Sequence, residues 1–283
     1  MEKKDAFFSE FPNQWCPGCG NFGILSAIKD ALVDQKLNPE QVLMVSGIGQ
    51  AAKTPHFMKC NMFHGLHGRA LPLALGAKIA NHDLKIIVNS GDGDCYGEGG
   101  NHFMHAIRRN TDLTLLVHNN QVYGLTKGQA SPTSAYGMIT TMQTRGVISD
   151  PFNGPLVALA LGAGFVARGF AGNIQHLSDL IQQAMHHKGF SLIDIMQPCV
   201  SFNKVNTYEW YKQRIYELDG PIPDSFEQAI TLAREGGERI PIGVFYRKGK
   251  TDFTSRIPAL GSGALLTRSY NPDTVQALID NNG

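Results

Sequence analysis

Gly91-Asp92-Gly93-Asp94 and, one helix and one strand later, Asn119-Asn120 are residue types that together hold a diphosphate and its metal. Leu84 to Val88 (LKIIV) is a short apolar, β-branched run, the pattern of a buried parallel strand. The glycines after it permit a tight turn and let a ligand come close to the backbone. Asp92 offers a hard anionic oxygen. Asn120, at the end of the next apolar run (Leu113 to Val117), offers a neutral one. Mg²⁺ takes few protein oxygens in octahedral geometry and leaves its other positions to phosphate and water. A generic Gly-rich turn with an incidental Asn pair is the bland alternative; order, spacing and flanking periodicity together favour the metal site. A second group of reactive residues is Trp15-Cys16-Pro17-Gly18-Cys19-Gly20, two thiols three apart on a tight turn. Neighbouring thiolates converge on zinc or on an iron–sulfur cluster, and by itself this turn does not choose between metals, or between a metal and a redox dithiol.

The elements that must position these groups are legible as alternating strands and helices. Gly20 to Val33 reads as a helix with Ile24, Leu25, Ile28, Ala31 and Leu32 on one face. Val42 to Val45 reads as a strand ending in Ser46-Gly47-Ile48-Gly49, and Arg69 to Ala80 as an Ala-rich helix. The Leu84 strand, a helix over Asn101 to Arg109 and the Leu113 strand follow, then a polar loop from Gly124 to Tyr136. Pro155 to Leu161 and Ile174 to His187 read as helices, the second capped by Asn173; Phe165 to Ala167 and Ser191 to Met196 read as strands. This alternation argues an α/β fold with a doubly wound parallel sheet, whose ligands sit beyond the strand carboxyl ends. Every polar motif falls just after a strand. Beyond Pro198 the regularity weakens: Tyr208 to Leu218 and Ser225 to Glu235 read as helices, Ile242 to Tyr246 as a strand, and the chain from Thr251 as an irregular tail.

At 283 residues the chain buries a substantial core. Its 25 basic and 24 acidic residues leave a net charge of +1, which gives no footprint for nucleic acid or a membrane surface. No apolar run reaches bilayer length, and Met1 to Asp5 has no apolar stretch of signal-peptide type, so a soluble cytoplasmic protein is the expectation. Five cysteines, odd in number and unevenly spaced, favour metal ligands or buried thiols over disulfides.

The Gly-Asp-Gly-Asp and Asn-Asn motif resembles the thiamine diphosphate signature. That resemblance implies Mg²⁺ bound by the Asp92 carboxylate, the Asn120 side-chain oxygen and the Val122 carbonyl. The company the motif keeps resembles something more specific. The Cys16/Cys19 turn, Ser46-Gly47-Ile48-Gly49, His64-Gly65-Leu66-His67-Gly68-Arg69, Tyr123-Gly124-Leu125-Thr126-Lys127-Gly128-Gln129 and Pro198-Cys199-Val200 occur together in order. As a set they resemble the β subunit of 2-oxoacid:ferredoxin oxidoreductases, over nearly the whole chain up to about residue 220. The resemblance implies a thiamine diphosphate- and iron–sulfur-binding domain over 1–220 and an extension over 221–283 that packs on a partner subunit. It also implies one 4Fe-4S cluster, with Cys16, Cys19 and Cys199 as ligands. The family's remaining ligand follows the Gly-Ile-Gly turn directly, and here that position is Gln50. An amide is a poor substitute for a thiolate. Cys60, ten residues on, is the expected fourth ligand; a three-cysteine cluster and no cluster at all stay open. Cys95 reads as a small buried side chain.

For the cofactor itself the matched motifs single out Ile48, Gly49, His64, His67, Gly91, Asp92, Gly93, Asp94, Asn120, Val122, Gly124, Leu125 and Thr126. Lys127, His67 and Lys53 are the catalytic candidates, and His56 reads as structural. Lys127 is the most diagnostic. Family members acting on pyruvate commonly carry glycine there, whereas Leu-Thr-Lys-Gly-Gln resembles those acting on 2-oxoglutarate, whose second carboxylate a lysine can pair with. The resemblance therefore implies oxidative decarboxylation of 2-oxoglutarate with coenzyme A to succinyl-CoA and CO₂, electrons leaving through the cluster to ferredoxin. The reaction is reversible in principle. The chain has no clear substitute for the glutamate that activates the cofactor, which the family's α subunit supplies, so an α₂β₂ assembly is implied. A pyruvate or broad 2-oxoacid enzyme is the nearest alternative; a zinc-stabilised binding subunit is the alternative from another class.

Overall fold

The structure, a computed structural model, describes residues 4–223, 225–269 and 271–281. Met1 to Lys3 of the N-terminal stretch, and Asp224, Tyr270, Asn282 and Gly283 of the C-terminal extension, lie outside the described residues. The strands are β1 (Val42–Ser46), β2 (Asn61–His64), β3 (Lys85–Gly91), β4 (Leu113–Asn119), β5 (Val122–Tyr123), β6 (Gln129–Ala130), β7 (Phe165–Phe170), β8 (Phe190–Met196), β9 (Ile215–Glu217) and β10 (Ile240–Arg247). The helices are α1 (Asn21–Asp34), α2 (Ala70–Ala80), α3 (Gly100–Arg109), α4 (Gly154–Ala160), α5 (Ile174–His186), α6 (Tyr208–Lys212), α7 (Phe226–Arg234) and α8 (Pro272–Asp280).

One eight-stranded sheet runs in the order β2-β1-β3-β4-β8-β7-β10-β9. From β2 to β7 every pairing is parallel; β10 joins β7 antiparallel, and β9 lies parallel to β10. The central strands β4, β7 and β8 are buried along their whole length, which is why apolar residues dominate them; the polar exceptions, among them His118, Arg168 and Asp194, are buried with the rest. Alternation within them feeds two cores. Ile87, Leu116, Ile193 and Ala167 meet α1 and α5 on one face, while Ile86, Val88, Leu115, Val117 and Leu192 meet α2, α3, α4 and α7 on the other. All five residues expected on the buried face of α1 are buried. Asn173 caps α5 as read, accepting a hydrogen bond from the His176 N–H.

Four readings change. Residues 208–218 are not one helix: α6 stops at Lys212, and Ile215–Glu217 pair with β10, so sheet pairing overrides local helix preference. Asn61 to His64, given no element in the sequence reading, form β2, an edge strand exposed at all four residues. The polar loop after Gly124 begins with a short hairpin, β5 with β6. The tail from Thr251 contains α8, started by Pro272 after an Asn271 cap. No helix among the described residues is long and apolar enough to cross a membrane.

Parallel register brings the carboxyl ends together. Ser46 stands beside Asn89 and His64, Gly91 beside His118, and Asn119 beside Met196. The turns after β1, β3, β4 and β8 therefore share one rim of the sheet.

Candidate active site

A cleft of about 160 Å³ opens at that rim. Its wall is made of Ile48 and Gly49 after β1, Gly91 to Asp94 after β3, Asn120, Val122 and the 123–126 loop after β4, with His67 from before α2. Of the residues singled out for the cofactor, His64 alone is not on this wall; neither Lys53 nor Lys127 is on it.

Asp92 is 1% exposed. Its Oδ2 accepts the Ser131 and Thr133 hydroxyls, each at 2.5 Å. Burial pushes its carboxyl up to about 6, against the lowering effect of those two hydroxyls. Asn120 Oδ1 accepts the Val122 N–H at 3.0 Å, closing a turn that holds Gln121 in the left-handed region at φ +61°. Asp94 has a different task. Its Oδ1 accepts the Ile48 and Gly68 N–H groups at 3.1 and 2.7 Å, and its Oδ2 accepts the Ser90 hydroxyl at 2.5 Å. This ties the turn after β1 to the turn after β3. Gly47 is required there, because a Cβ would stand 2.1 Å from Asp94 Oδ2. Gly93 is required for a second reason: a Cβ would lie 2.2 Å from the Tyr123 ring. His67 Nδ1 faces Asp94 Oδ1 at 3.3 Å and Glu98 Oε2 at 3.2 Å, and the Tyr123 hydroxyl donates to the same Glu98.

The wall residues fit a diphosphate carried by a divalent cation. The protein donors on offer are the hard oxygens of Asp92 and Asn120 with the Val122 main chain. A Cβ at Gly91 would meet no heavy atom within 4 Å, so the glycine leaves cleft space open and fills no packing need. Beside the cleft, His64 Nδ1 bonds the Ser46 hydroxyl at 3.1 Å, and the His56 and His64 rings stand 5.0 Å apart. Burial lowers the His56 pKa, and His64 and Lys53 lower it further; none of the three is on the cleft wall. Lys127 is exposed on the loop that carries Leu125 and Thr126, with φ at +77°.

A smaller cleft, about 40 Å³, gathers the thiols. Trp15, Cys16, Cys19, Gln50, Gln197, Cys199 and Ser201 are on its wall. The Ser201 hydroxyl donates to Cys16 Sγ at 3.0 Å, and Gln197 Nε2 to Cys19 Sγ at 3.5 Å. Burial pushes the Cys19 thiol up to about 11, and Cys199 and Cys16 add to that rise, so the three sulfurs feel one another. Gln50 Oε1 and Gln197 Oε1 are buried here without a hydrogen-bond partner. Cys60 is not on this wall. Asn61 pairs with Leu43, at the opposite end of β2 from His64 and Ser46, so Cys60 sits about 13 Å of strand away from the ligand rim. It packs against the α1 core, and burial pushes its thiol up to about 12. Cys95 is buried, as expected. All five cysteines are free, and no three His, Cys, Asp or Glu side chains among the described residues are grouped closely enough for a single metal ion.

The two clefts have Gln50, Asn120 and Gly124 in common. His118 links them from below. It is fully buried between Asn21 Oδ1 (2.7 Å), beside the thiol turn, and Asn89 Oδ1 (3.2 Å), on β3 below Asp92. Burial lowers its pKa to about 3, so the imidazole is neutral, with one donor and one acceptor nitrogen. One of the two flanking amides must therefore turn its NH₂ toward the ring; both NH₂ groups are otherwise without a partner. Sequence reading missed Ser131, Thr133, Asp194 and Glu98. Asp194 alone carried a signal, an acid inside the apolar run Phe190–Met196.

Fold and cleft define a thiamine pyrophosphate enzyme: the family model "Thiamine pyrophosphate enzyme, C-terminal TPP binding domain" matches residues 42–195. A second family model, for the C-terminal part of the pyruvate ferredoxin oxidoreductase beta subunit, matches residues 199–262. The 2-oxoacid:ferredoxin oxidoreductase subunit beta of Saccharolobus solfataricus is 48% identical over 83% of this chain and 82% of its own length. The 2-oxoglutarate synthase subunit KorB of Archaeoglobus fulgidus is 34% identical over 88% of this chain and 90% of its own. A solved 2-oxoglutarate:ferredoxin oxidoreductase from Magnetococcus marinus, with 2-oxoglutarate, coenzyme A and succinyl-CoA bound, aligns with a TM-score of 0.90 at 35% identity, covering 98% of this chain and 95% of that one. This chain belongs to the β subunits of 2-oxoacid:ferredoxin oxidoreductases, enzyme complexes in which it has an α-subunit partner.

Proposed function

We propose that the substrate is 2-oxoglutarate, converted with coenzyme A to succinyl-CoA and CO₂, with electrons leaving for ferredoxin through a 4Fe-4S cluster. The observation that carries the substrate assignment is Lys127. A lysine held at φ +77° on an exposed loop beside the cofactor cleft occupies backbone that favours glycine, and such strain persists where function uses the side chain. Its ammonium pairs with the carboxylate that 2-oxoglutarate has and pyruvate lacks. The names of the Archaeoglobus and Magnetococcus relatives support the same reading.

When bound, thiamine diphosphate supplies carbanion stabilisation next to a keto carbon. The chain's own residues do the rest. Asp92, Asn120 and the Val122 carbonyl would hold Mg²⁺, and His67, turned by Asp94 and Glu98, is on the same wall of the cleft that would take the diphosphate. Lys53 and His64 form a polar group next to the cleft. Cys16, Cys19 and Cys199, which share the smaller cleft, would hold the cluster there. The five free thiols suit a reducing compartment, the cytoplasm. The boundary expected at residue 220 falls inside the fold, since α7 and β10 belong to the sheet and its core; we read the tail from Thr251 as the extension that packs on the α subunit in an α₂β₂ assembly. Support for that packing comes from α8, exposed along its length, where Val275 and Ile279 face out. The reaction can run toward CO₂ fixation as well.

The second reading is a broad 2-oxoacid enzyme. It is favoured by the higher identity of the Saccharolobus subunit, whose name gives no single substrate. An anaerobic assay of the αβ complex over 2-oxoglutarate, 2-oxobutyrate and pyruvate decides between them. Comparable kcat/KM for all three would remove the 2-oxoglutarate assignment. Iron and acid-labile sulfide in the same preparation test the cluster; zinc without sulfide would sink it.

A further inference from the structure

Ser131 and Thr133 stand on the loop after β6, 39 and 41 residues beyond Asp92 in the chain, yet both hydroxyls donate to one oxygen, Asp92 Oδ2. Neither hydroxyl donates to Oδ1. Behind them the contacts continue. Thr133 Oγ1 is 2.8 Å from Asn119 Oδ1, Asn119 Nδ2 donates to Asp194 Oδ1 at 3.0 Å, and the Tyr96 hydroxyl donates to Asp194 Oδ2 at 2.7 Å. None of these six side chains is more than 6% exposed. The network ties the ends of β3 and β4 to β8, so the Asp92 carboxylate cannot swing without breaking buried hydrogen bonds. Thr133 has one proton for two acceptors, and a charged carboxylate takes it in preference to an amide oxygen.

We propose that Ser131 and Thr133 are positioning residues of the cation site: they pin Asp92 Oδ2 and present Oδ1 alone to the metal. The inference rests on Asp92 holding a divalent cation, as proposed above. Single-oxygen presentation matters chemically. Ca²⁺ takes six to eight oxygens and readily accepts both oxygens of a carboxylate, whereas Mg²⁺ wants octahedral, one-oxygen ligation. A pinned Oδ2 therefore selects for Mg²⁺ over Ca²⁺.

The test uses the αβ complex stripped of cation with a chelator. Thiamine diphosphate binding is followed by calorimetry while Mg²⁺ or Ca²⁺ is titrated. Thr133→Val and Ser131→Ala should each raise the Mg²⁺ concentration for half-saturation about tenfold to a hundredfold, the usual cost of losing a group that orients a metal ligand. They should raise the Ca²⁺ requirement less, so that discrimination between the two cations narrows. Thr133→Ser should restore the parent values. If Thr133→Val does not assemble, Ser131→Ala, a smaller change, carries the test. Parent-like Mg²⁺ requirement and parent-like discrimination in these variants, in a complex where Asp92→Ala has lost cation-dependent binding, overturns the proposal and spares the metal site. Cation-dependent binding that survives Asp92→Ala overturns both.

Discussion

Replacing Lys127 by glycine separates what the backbone prefers from what the site needs. Lys127 sits at φ +77°, directly before Gly128 at φ +92°, in a turn closed by the Gly128 N–H to the Tyr123 carbonyl at 2.8 Å. Left-handed backbone costs an ordinary L-residue about 1–2 kcal/mol, which glycine escapes. Glycine in turn gives up about 0.5–1 kcal/mol through its freer unfolded chain. The two figures leave Lys127→Gly neutral or stabilised by about 1 kcal/mol, so the thermal midpoint of the αβ complex should hold or rise. Catalysis should move the other way. A charge-assisted hydrogen bond is worth about 1.5–3 kcal/mol, and its loss lowers kcat/KM for 2-oxoglutarate roughly tenfold to a hundredfold while pyruvate use changes little. That magnitude applies with the loop shielded by substrate and the α subunit; a solvated pair is worth under about 1 kcal/mol. Lys127→Met, which keeps the backbone strain and removes the charge, should reproduce the kinetic loss without the stability gain. The assay is anaerobic reduction of a low-potential dye at saturating coenzyme A. An equal drop for both 2-oxoacids would refute the specificity argument, and a clear fall in thermal midpoint for Lys127→Gly would refute the strain argument.

Asp92→Asn should abolish tight thiamine diphosphate binding yet stabilise the cofactor-free complex near pH 7. Burial raises the folded pKa from 3.8 to about 6, so the cost of ionisation, about 3 kcal/mol, is full above pH 6 and vanishes below pH 4; melts across that range that do not converge would refute it. Cys16→Ser should lose iron and sulfide, whereas Cys60→Ser should keep both, because Cys60 lies at the far end of β2; iron loss in Cys60→Ser would show that the thiol reaches the cluster after all. His118 acts on acid stability with the opposite sign to Asp92. Its folded pKa of about 3 lies below the ordinary 6.5, so stability is intact above pH 6.5 and falls by up to roughly 4–5 kcal/mol toward pH 3; His118→Gln should flatten that fall, and an unchanged acid limb would assign it to other groups.

What could be read from the sequence was whatever its chemistry expresses locally. The apolar runs became β1, β3, β4 and β8 because strands buried on both faces are mostly apolar, and the turns after them landed on one rim because parallel strands point the same way. Asp92 and Asn120 follow directly. Ser131 and Thr133 were hidden in a loop of small polar residues, where nothing local says which hydroxyl will fold back onto a carboxylate 40 or so residues upstream. Cys60 misled for a related reason. Closeness in sequence to the Gly-Ile-Gly turn hid the intervening return to the start of β2, which only the strand register reveals. The break at Lys212 was equally non-local, since Ile215 to Glu217 become a strand only where β10 is there to pair with.

The division of labour between the clefts follows from the same register. The cation end of the site is buried and tied across three strand ends, whereas Lys127 stands on an exposed loop with no part in that network. A side chain on that loop can change without disturbing Asp92, so on the proposed assignment substrate preference and cofactor retention are separable in this fold. The two clefts are themselves tied together. Gln50, Asn120 and Gly124 form wall on both sides, and Asn203, four residues after Cys199, donates through Nδ2 to the Asn120 carbonyl at 3.2 Å. The thiol segment is thereby anchored to the residue proposed to hold the cation. The residues after β1 and β4 thus set the separation of the two clefts, and that separation is a property of the sheet.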